Sequence, residues 1–241
     1  YTAKYATGDG ALLWEKRYNG PANLNDKAQA VTVDGSGNVV VTGESWNANY
    51  VSDYYTAKYA AADGALIWEK RYNGPANEPD SASAVAVDGS GNVVVAGYSY
   101  NASDPDYYTA KYAAADGALI WEKRYNGGAN SYDYVHAVVV DGSGNVVVTG
   151  YSKSDYYTAK YAAADGALLW EKRYNGPAND IDSASAVTVD GSGNVVVTGY
   201  SYSTSGYPDY YTAKYATGDG ALLWEKRYNG PANREDNAQA V

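Results

Sequence analysis

The chain has 241 residues and a net charge of −10, with 28 Tyr, 6 Trp and 26 Gly but no Phe, Met or Cys and a single His. The absence of Cys excludes disulfide scaffolds, zinc knuckles, thiol nucleophiles and iron–sulfur clusters, and one His excludes multi-histidine metal sites. The acidity argues against nucleic acid or an anionic membrane as partner, and no apolar run approaches the roughly 18 residues of a membrane span.

So narrow a vocabulary points to a repeat. Tyr-Thr-Ala-Lys-Tyr begins at Tyr1, Tyr55, Tyr108, Tyr157 and Tyr211, giving units of 54, 53, 49 and 54 residues and an incomplete fifth. The units are 1–54, 55–107, 108–156, 157–210 and 211–241, read together as one domain. Tyr1–Tyr18 reads as a Tyr-rich strand and a Trp-bearing strand joined by an Asp-Gly turn. One full set of four strands ends at Tyr125. Ala84–Asp88 stops at the turn Gly89-Ser90-Gly91, and Asn92–Ser99 is dense in Val. Tyr107–Tyr112 alternates, and Ala118–Tyr125 carries Leu119, Ile120 and Trp121. These residue types suit a pleated, half-buried surface, Gly-rich turns bound each run, and no stretch of helical length shows a 3.6-residue period. Residues 211–241 match residues 1–31 except at 24, 25 and 27, against 234, 235 and 237.

Four antiparallel strands in a repeated unit of about 50 residues predict an all-β fold, a β-propeller of four-stranded blades. An isolated four-stranded meander leaves both faces bare, whereas neighbouring blades cover one another. Small residues such as Ala82, Ala84 and Ala86 suit an innermost strand. Trp14, Trp68, Trp121, Trp170 and Trp224, one per unit, suit wedges between blades. Charges in the outer Trp-Glu-Lys-Arg-Tyr strand discourage edge-to-edge association. The expectation is five blades, closed by a composite blade in which Tyr1–Tyr18 sits outside C-terminal strands. The rival is a longer array. Unit lengths that vary between 49 and 54 residues fit natural amplification better than an idealised design.

The text ASAVAVDGSGNVVVAGYS followed by DYYTAKYAAADGALIWEKRYNG resembles the bacterial propeller repeats called SBBP, over every unit. That resemblance implies a secreted or cell-surface location. Asp-Gly-Ala-Leu-Leu-Trp also resembles, more loosely, the tryptophan-docked blades of PQQ quinoproteins, without a counterpart of their cofactor residues. The resemblance therefore implies fold and location and no chemistry. The chain opens at Tyr1 without Met or a signal-like segment, which reads as a processed or trimmed start.

Comparing the repeats with one another shows where they differ. Asp-Gly-Ser-Gly-Asn and the Ala-Asp-Gly or Gly-Asp-Gly turn hardly change, while two other connections do. Successive turns alternate between the ends of a blade, so both variable connections share one face of the disc. Function concentrates on loops held by a rigid scaffold, although free drift of surface loops would leave the same pattern. That face is rich in aromatics: Trp46, Tyr50, Tyr98, Tyr100, Tyr132, Tyr134, Tyr151, Tyr202 and Tyr207. Such side chains pair an apolar body with a polar handle, as ligand sites for glycans and proteins do. Trp46, the one Trp outside the blade positions, is the foremost candidate contact, and packing within the loops is the other reading.

Asp26, Asp80, Asp133, Asp182 and Asp236 recur before each innermost strand. They are either a ring of carboxylates at the channel mouth or turn residues bonding backbone N–H groups, and the frequency of Asp in turns favours the second. Asp34, Ser36 and Asn38 have the spacing of calcium ligands, but no downstream bidentate Glu follows, so a hairpin without metal is expected. His136 stands where other units have Ser or Gln. No catalytic triad spacing, paired-carboxylate motif, phosphate loop or dinucleotide fingerprint is present. The sequence thus predicts a non-enzymatic secreted or surface propeller without cofactor or metal. It would bind a glycan or protein through its variable aromatic face, repeated weak sites adding avidity. The alternative is a structural repeat protein that self-associates into an extracellular array or filament.

Overall fold

The computed structural model describes residues 1–101, 103–128 and 131–241, and every element in it is a strand. β1 (Thr2–Tyr5) and β2 (Leu12–Lys16) form a two-stranded sheet. Four four-stranded antiparallel sheets follow in strict chain order. Blade 1 holds β3 (Asp26–Val33), β4 (Val39–Trp46), β5 (Ser52–Tyr59) and β6 (Leu66–Tyr72). Blade 2 holds β7 (Asp80–Val87), β8 (Val93–Tyr100), β9 (Pro105–Tyr112) and β10 (Leu119–Tyr125). Blade 3 holds β11 (Asp133–Val140), β12 (Val146–Ser152), β13 (Asp155–Tyr161) and β14 (Leu168–Tyr174). Blade 4 holds β15 (Asp182–Val189), β16 (Val195–Tyr202), β17 (Pro208–Tyr215) and β18 (Leu222–Tyr228). The first strands of successive blades are neighbours, so the blades fan about a common axis with the small residues innermost.

Two features depart from the sequence reading. The innermost strands begin at the recurring Asp rather than at the alanines, because a bulge between Ala82 and Ala84 lets β7 continue to pair with β8 as far as Asp80 opposite Ser99. The composite closing blade is not formed. β1 and β2 remain a sheet of their own, and residues 229–241 carry no strand. The result is an open arc of four blades preceded by a half-blade.

Each junction between blades is built the same way. The second, third and fourth strands of one blade present Val, Tyr and Trp to the next, as Val94, Tyr107 and Trp121 do to Val135, Val148, Tyr157 and Tyr161. Four of the five blade tryptophans are wedges as expected, while Trp224, on the outer strand of blade 4, is exposed. Trp14, Trp68, Trp121 and Trp170 are buried, and each indole N–H donates to a carbonyl of the following blade at 3.2 Å. Beside Trp68, Trp121 and Trp170 lies a buried ion pair, Lys58–Asp34, Lys111–Asp88 and Lys160–Asp141 respectively, at 2.8 to 2.9 Å. Lys58 also donates to the Gly91 and Ala114 carbonyls of the next blade, so all three of its N–H groups have acceptors. Burying the pair is tolerable because every partner is supplied.

The invariant Asp-Gly-Ser-Gly-Asn turn is thereby explained without a metal. Asp34 Oδ1 accepts the Ser36 and Asn38 amides, and Oδ2 accepts the Asn38 side chain and Lys58. Burial pushes the Asp34 carboxyl up, but the Lys58 ammonium and Asn38 outweigh it and hold it at about 2. Both invariant turns lie at one end of the blade, since Asn38 Oδ1 accepts the Ala61 amide at 3.0 Å. At the other end the Tyr100 amide donates to the Pro79 carbonyl, joining the two variable connections.

Candidate functional site

The variable face is anchored from below by one repeated arginine. Arg124 donates to the Ser99 hydroxyl and carbonyl at 2.7 and 2.8 Å, to Asp106 at 3.3 Å, and to the Tyr72 hydroxyl of the preceding blade at 3.0 Å. Arg71, Arg173 and Arg227 repeat the arrangement. This clamp fixes the end of the second strand, from which the variable residues project.

The recurring aspartates belong to the same anchor and do not form an open ring at the channel mouth. Asp80, Asp133 and Asp182 are fully buried, and their Oδ2 atoms accept the amides of Gly74, Gly127 and Gly176. Asp26 and Asp236 do the same for Gly20 and Gly230. Burial raises the Asp80 carboxyl, against the lowering effect of the Ser99 hydroxyl and the Gly74 amide. The Asn-Gly before each Asp is therefore required: a Cβ at Gly74 would run into Ser99 and Asp80.

The candidate aromatics separate into groups. Six of the nine lie within strands rather than loops, because the ladder continues past the sequence-read boundary and pairs Tyr134 with Tyr151 and Tyr98 with Ser81. Tyr98, Tyr100, Tyr132, Tyr134 and Tyr151 form one continuous wall across blades 2 and 3. Its ring centroids are 4.9 Å apart for Tyr98–Tyr134, 5.5 Å for Tyr134–Tyr151 and 6.5 Å for the near-parallel Tyr132–Tyr134. Tyr202 stands apart on blade 4, edge-on to Tyr200 at 6.2 Å, and Tyr207 is exposed on the same blade. Trp46 and Tyr50 sit on blade 1, away from this wall. Tyr50 is exposed at a positive φ of 63°, whereas the Trp46 indole nitrogen is buried without a hydrogen-bond partner. The strongest sequence candidate is thus partly a packing residue.

Between blades 3 and 4 the wall borders a cleft of about 600 Å³, lined by Ser131, Tyr132, Tyr151, Lys153, Ser154, Ile181 and Tyr200. Tyr200 was missing from the sequence candidates. Its signal was available, since it follows the strand glycine as Tyr98 and Tyr151 do. Lys153 and Ser154 form the short turn between β12 and β13, both at positive φ, and this compact turn leaves the cleft open above Tyr151. Burial pushes the Tyr151 and Tyr200 phenols above their ordinary value, so near neutral pH both are uncharged and able to donate. His136 stands at the bulge of β11 and is exposed, with Nδ1 2.9 Å from the Ala184 carbonyl, which fixes that nitrogen as the protonated one.

A family model described as outer membrane protein assembly factor BamB, built on PQQ-like repeats, matches residues 2–153 and again 57–240. The chain belongs to the BamB family. The looser of the two resemblances in the sequence, to PQQ quinoprotein blades, is the one this match supports, and the SBBP name has no counterpart in it. No curated protein matches the chain. Among solved structures it is similar to Sqt1 of Chaetomium thermophilum bound to the N-terminus of a ribosomal protein, at 12% identity and a TM-score of 0.63, over 97% of this chain and 56% of that one. It is similar to the quinohemoprotein alcohol dehydrogenase ADHIIG of Pseudomonas putida at 15% identity and 0.54, over 84% and 35%. BamB of Moraxella catarrhalis follows at 14% and 0.49, over 95% and 68%. The chain thus spans about half the Sqt1 chain and about a third of the dehydrogenase. The likenesses to Sqt1 and to the dehydrogenase establish the propeller fold.

The dehydrogenases among BamB-like folds raise the question of a quinone cofactor. Pyrroloquinoline quinone is a flat tricarboxylate and needs cations and a stacking surface. Among the described residues the inner strands offer one cation, Lys27, already 2.9 Å from Glu44, and the blade tryptophans from Trp14 to Trp170 are enclosed between sheets. The residues present do not fit the cofactor.

Proposed function

We propose that this BamB-family chain is a non-enzymatic binding scaffold of the cell surface or an extracytoplasmic space, and that its ligand is a segment of another protein held in the cleft between blades 3 and 4. The observation that carries this reading is the lining itself. Tyr132, Tyr151 and Tyr200 supply apolar faces with hydroxyl donors, Ile181 supplies an apolar floor, and Lys153 places one cation at the rim. Tyr-rich clefts with a charged rim are characteristic of protein recognition. Among the described residues the lining has no Asp, Asn or Gln to address the paired hydroxyls of a sugar, which favours protein over glycan. In Sqt1, a propeller of the same fold, the ligand is the N-terminus of another protein. The outer-membrane description of the family supports an extracytoplasmic location.

Selection from a displayed random-peptide library, run beside a glycan array, tests this. Enriched peptides should lose at least tenfold in affinity with Tyr151→Ala or Tyr200→Ala, since buried aromatic anchors are each worth about 2 kcal/mol or more. Peptides indifferent to both substitutions, or sugars bound where peptides are not, would overturn the reading.

A further inference from the structure

In a chain of near-identical units, a specialised place is one where a single unit departs from the rest. The unit that builds blade 3 departs in three ways that meet at one spot. Other units read Asn-Gly-Pro-Ala-Asn after the outer strand, with Pro21, Pro75, Pro177 and Pro231, but here Gly128 stands in place of the proline. Where Trp46, Tyr100 and Tyr202 end the second strands of the other blades, this one has Lys153. Its connection from second to third strand is also the shortest, reduced to Lys153 and Ser154. The changes are coupled. Gly128 has a φ of 123°, which proline cannot adopt, and its N–H donates to Asn126 Oδ1 at 2.7 Å, a bond proline lacks. A Cβ at Gly128 would lie 2.5 Å from Lys153 Nζ, so the glycine makes room for the ammonium.

Lys153 is exposed in the cleft between blades 3 and 4 and makes no ion pair among the described residues. The carboxylates of the surrounding segments are committed elsewhere. Asp133 is buried and accepts the Gly127 amide and the Ser131 hydroxyl, Asp155 pairs with Arg173, and Asp180 accepts the Ile181 amide. The turn that carries the cation is tied on both sides: the Lys153 amide donates to the Tyr132 carbonyl at 3.3 Å, and the Ser154 carbonyl accepts the Asp182 amide at 2.6 Å. Around it the lining offers the hydroxyls of Tyr132, Tyr151, Ser154 and Tyr200. The junction beneath is a complete one, with Trp170 on the Thr217 carbonyl and Lys160 on Asp141. Hydroxyl donors gathered about one held cation, with no carboxylate in the lining among the described residues, suit an anion.

We infer that the protein segment held in this cleft presents a carboxylate to Lys153, an inference that rests on the cleft being the ligand site. One ammonium balances one carboxylate. A phosphate, with close to two negative charges, would keep part of its charge uncompensated beside Ile181 and the tyrosine rings. The carboxylate can belong to an Asp or Glu side chain or to the C-terminus of the segment, since the two share the same chemistry. The net charge of −10 does not oppose this, because charges farther off than about 8–10 Å are screened at ordinary salt and the local balance decides. Gly128 acts through Lys153, as a positioning residue.

Three random-peptide libraries, presented to the whole chain, separate the outcomes. One contains Asp and Glu and has an amidated C-terminus, one lacks Asp and Glu and keeps a free C-terminus, and one has neither source of carboxylate. Binders should come from the first or the second, and which of them succeeds names the source. Lys153→Ala should weaken these binders at least fivefold, as the loss of a partly exposed ionic hydrogen bond warrants, and Lys153→Glu should weaken them further. Raising salt should weaken binding to the parent chain and leave Lys153→Ala little changed. Gly128→Pro, which restores the residue of the other units, should reproduce the loss of Lys153→Ala. Neither position lies in a strand, so both variants should fold, which a thermal melt verifies. Equally tight binders from the third library that depend on Tyr151, or binders indifferent to Lys153, overturn this inference and leave the cleft a protein-binding site. Failure of all three libraries overturns the cleft reading itself, and this inference with it.

Discussion

The buried lysine of each unit offers the sharpest test of how the blades hold together. Lys111→Met keeps the length and apolar stem of the side chain and removes its charge. The Lys111 side chain is 3% exposed, pairs with Asp88 at 2.9 Å and donates to the Ala163 carbonyl at 3.0 Å. Its loss leaves the Asp88 carboxylate enclosed, with only Ser90 and Asn92 as donors. Removing one partner of a buried pair costs about 3–5 kcal/mol. At about 2–4 °C per kcal/mol for a chain of this size, Tm should fall by about 6–20 °C. The double variant Lys111→Met, Asp88→Asn removes the stranded charge and should recover more than half of the loss. Lys4→Met, which strands no carboxylate, should cost about 1 kcal/mol, the worth of ordinary hydrogen bonds. Thermal and urea unfolding of the variants decide the matter. A loss below 1 kcal/mol for Lys111→Met, or a double variant less stable than the single, would refute the assignment of the pair as a latch.

Trp121→Ala, at a complete junction, should cost about 3–5 kcal/mol in urea unfolding. Gly97→Ala should destabilise severely or prevent folding, since the added Cβ would meet the Ser81 carbonyl and the Tyr54 hydroxyl. Gly89→Ala, with open space around it, should stay within about 0.5 kcal/mol of the parent. Asp34 titrates at about 2, below the unfolded value of 3.8, so its contribution is complete above pH 3.8 and disappears as pH falls toward 2. Asp88 and Asp141 are lowered in the same sense, so Asp34→Asn should flatten part of the acid limb of a Tm-against-pH curve and leave the neutral plateau lower.

The blade was legible because its period and residue types leave one solution. Val-rich and Tyr-rich runs between Gly turns specify strands, and one Trp per unit specifies a wedge. Ring closure was not legible, because it depends on strands beyond the repeat text and on how far each blade rotates about the axis. The interblade latch was missed for a different reason. Lys58 and Asp34 lie in separate strands, and each has a sufficient local explanation, one as an alternating strand residue and the other as a hairpin Asp. The available signal was a charged residue in every unit at the centre of an otherwise apolar strand. On the variable face, sequence comparison placed both variable connections at one end of the blades, the end that holds the cleft. It could not separate Tyr151, which lines the cleft, from Tyr134, which stands behind it, since that distinction depends on cross-strand pairing and on a short turn at Lys153.

The latch also bears on how such a chain grows. Every unit carries both halves of the junction, Lys and Trp on one face and the accepting carbonyls of its turns on the other. A recombination event that duplicates one unit therefore delivers a blade that fits its neighbours at once, without compensating substitutions. Blade number can change by unequal exchange while the packing chemistry stays constant. Near-identical units with connections of different length are the record such a history leaves, with sequence diversity accumulating at the one face that no neighbouring unit has to fit.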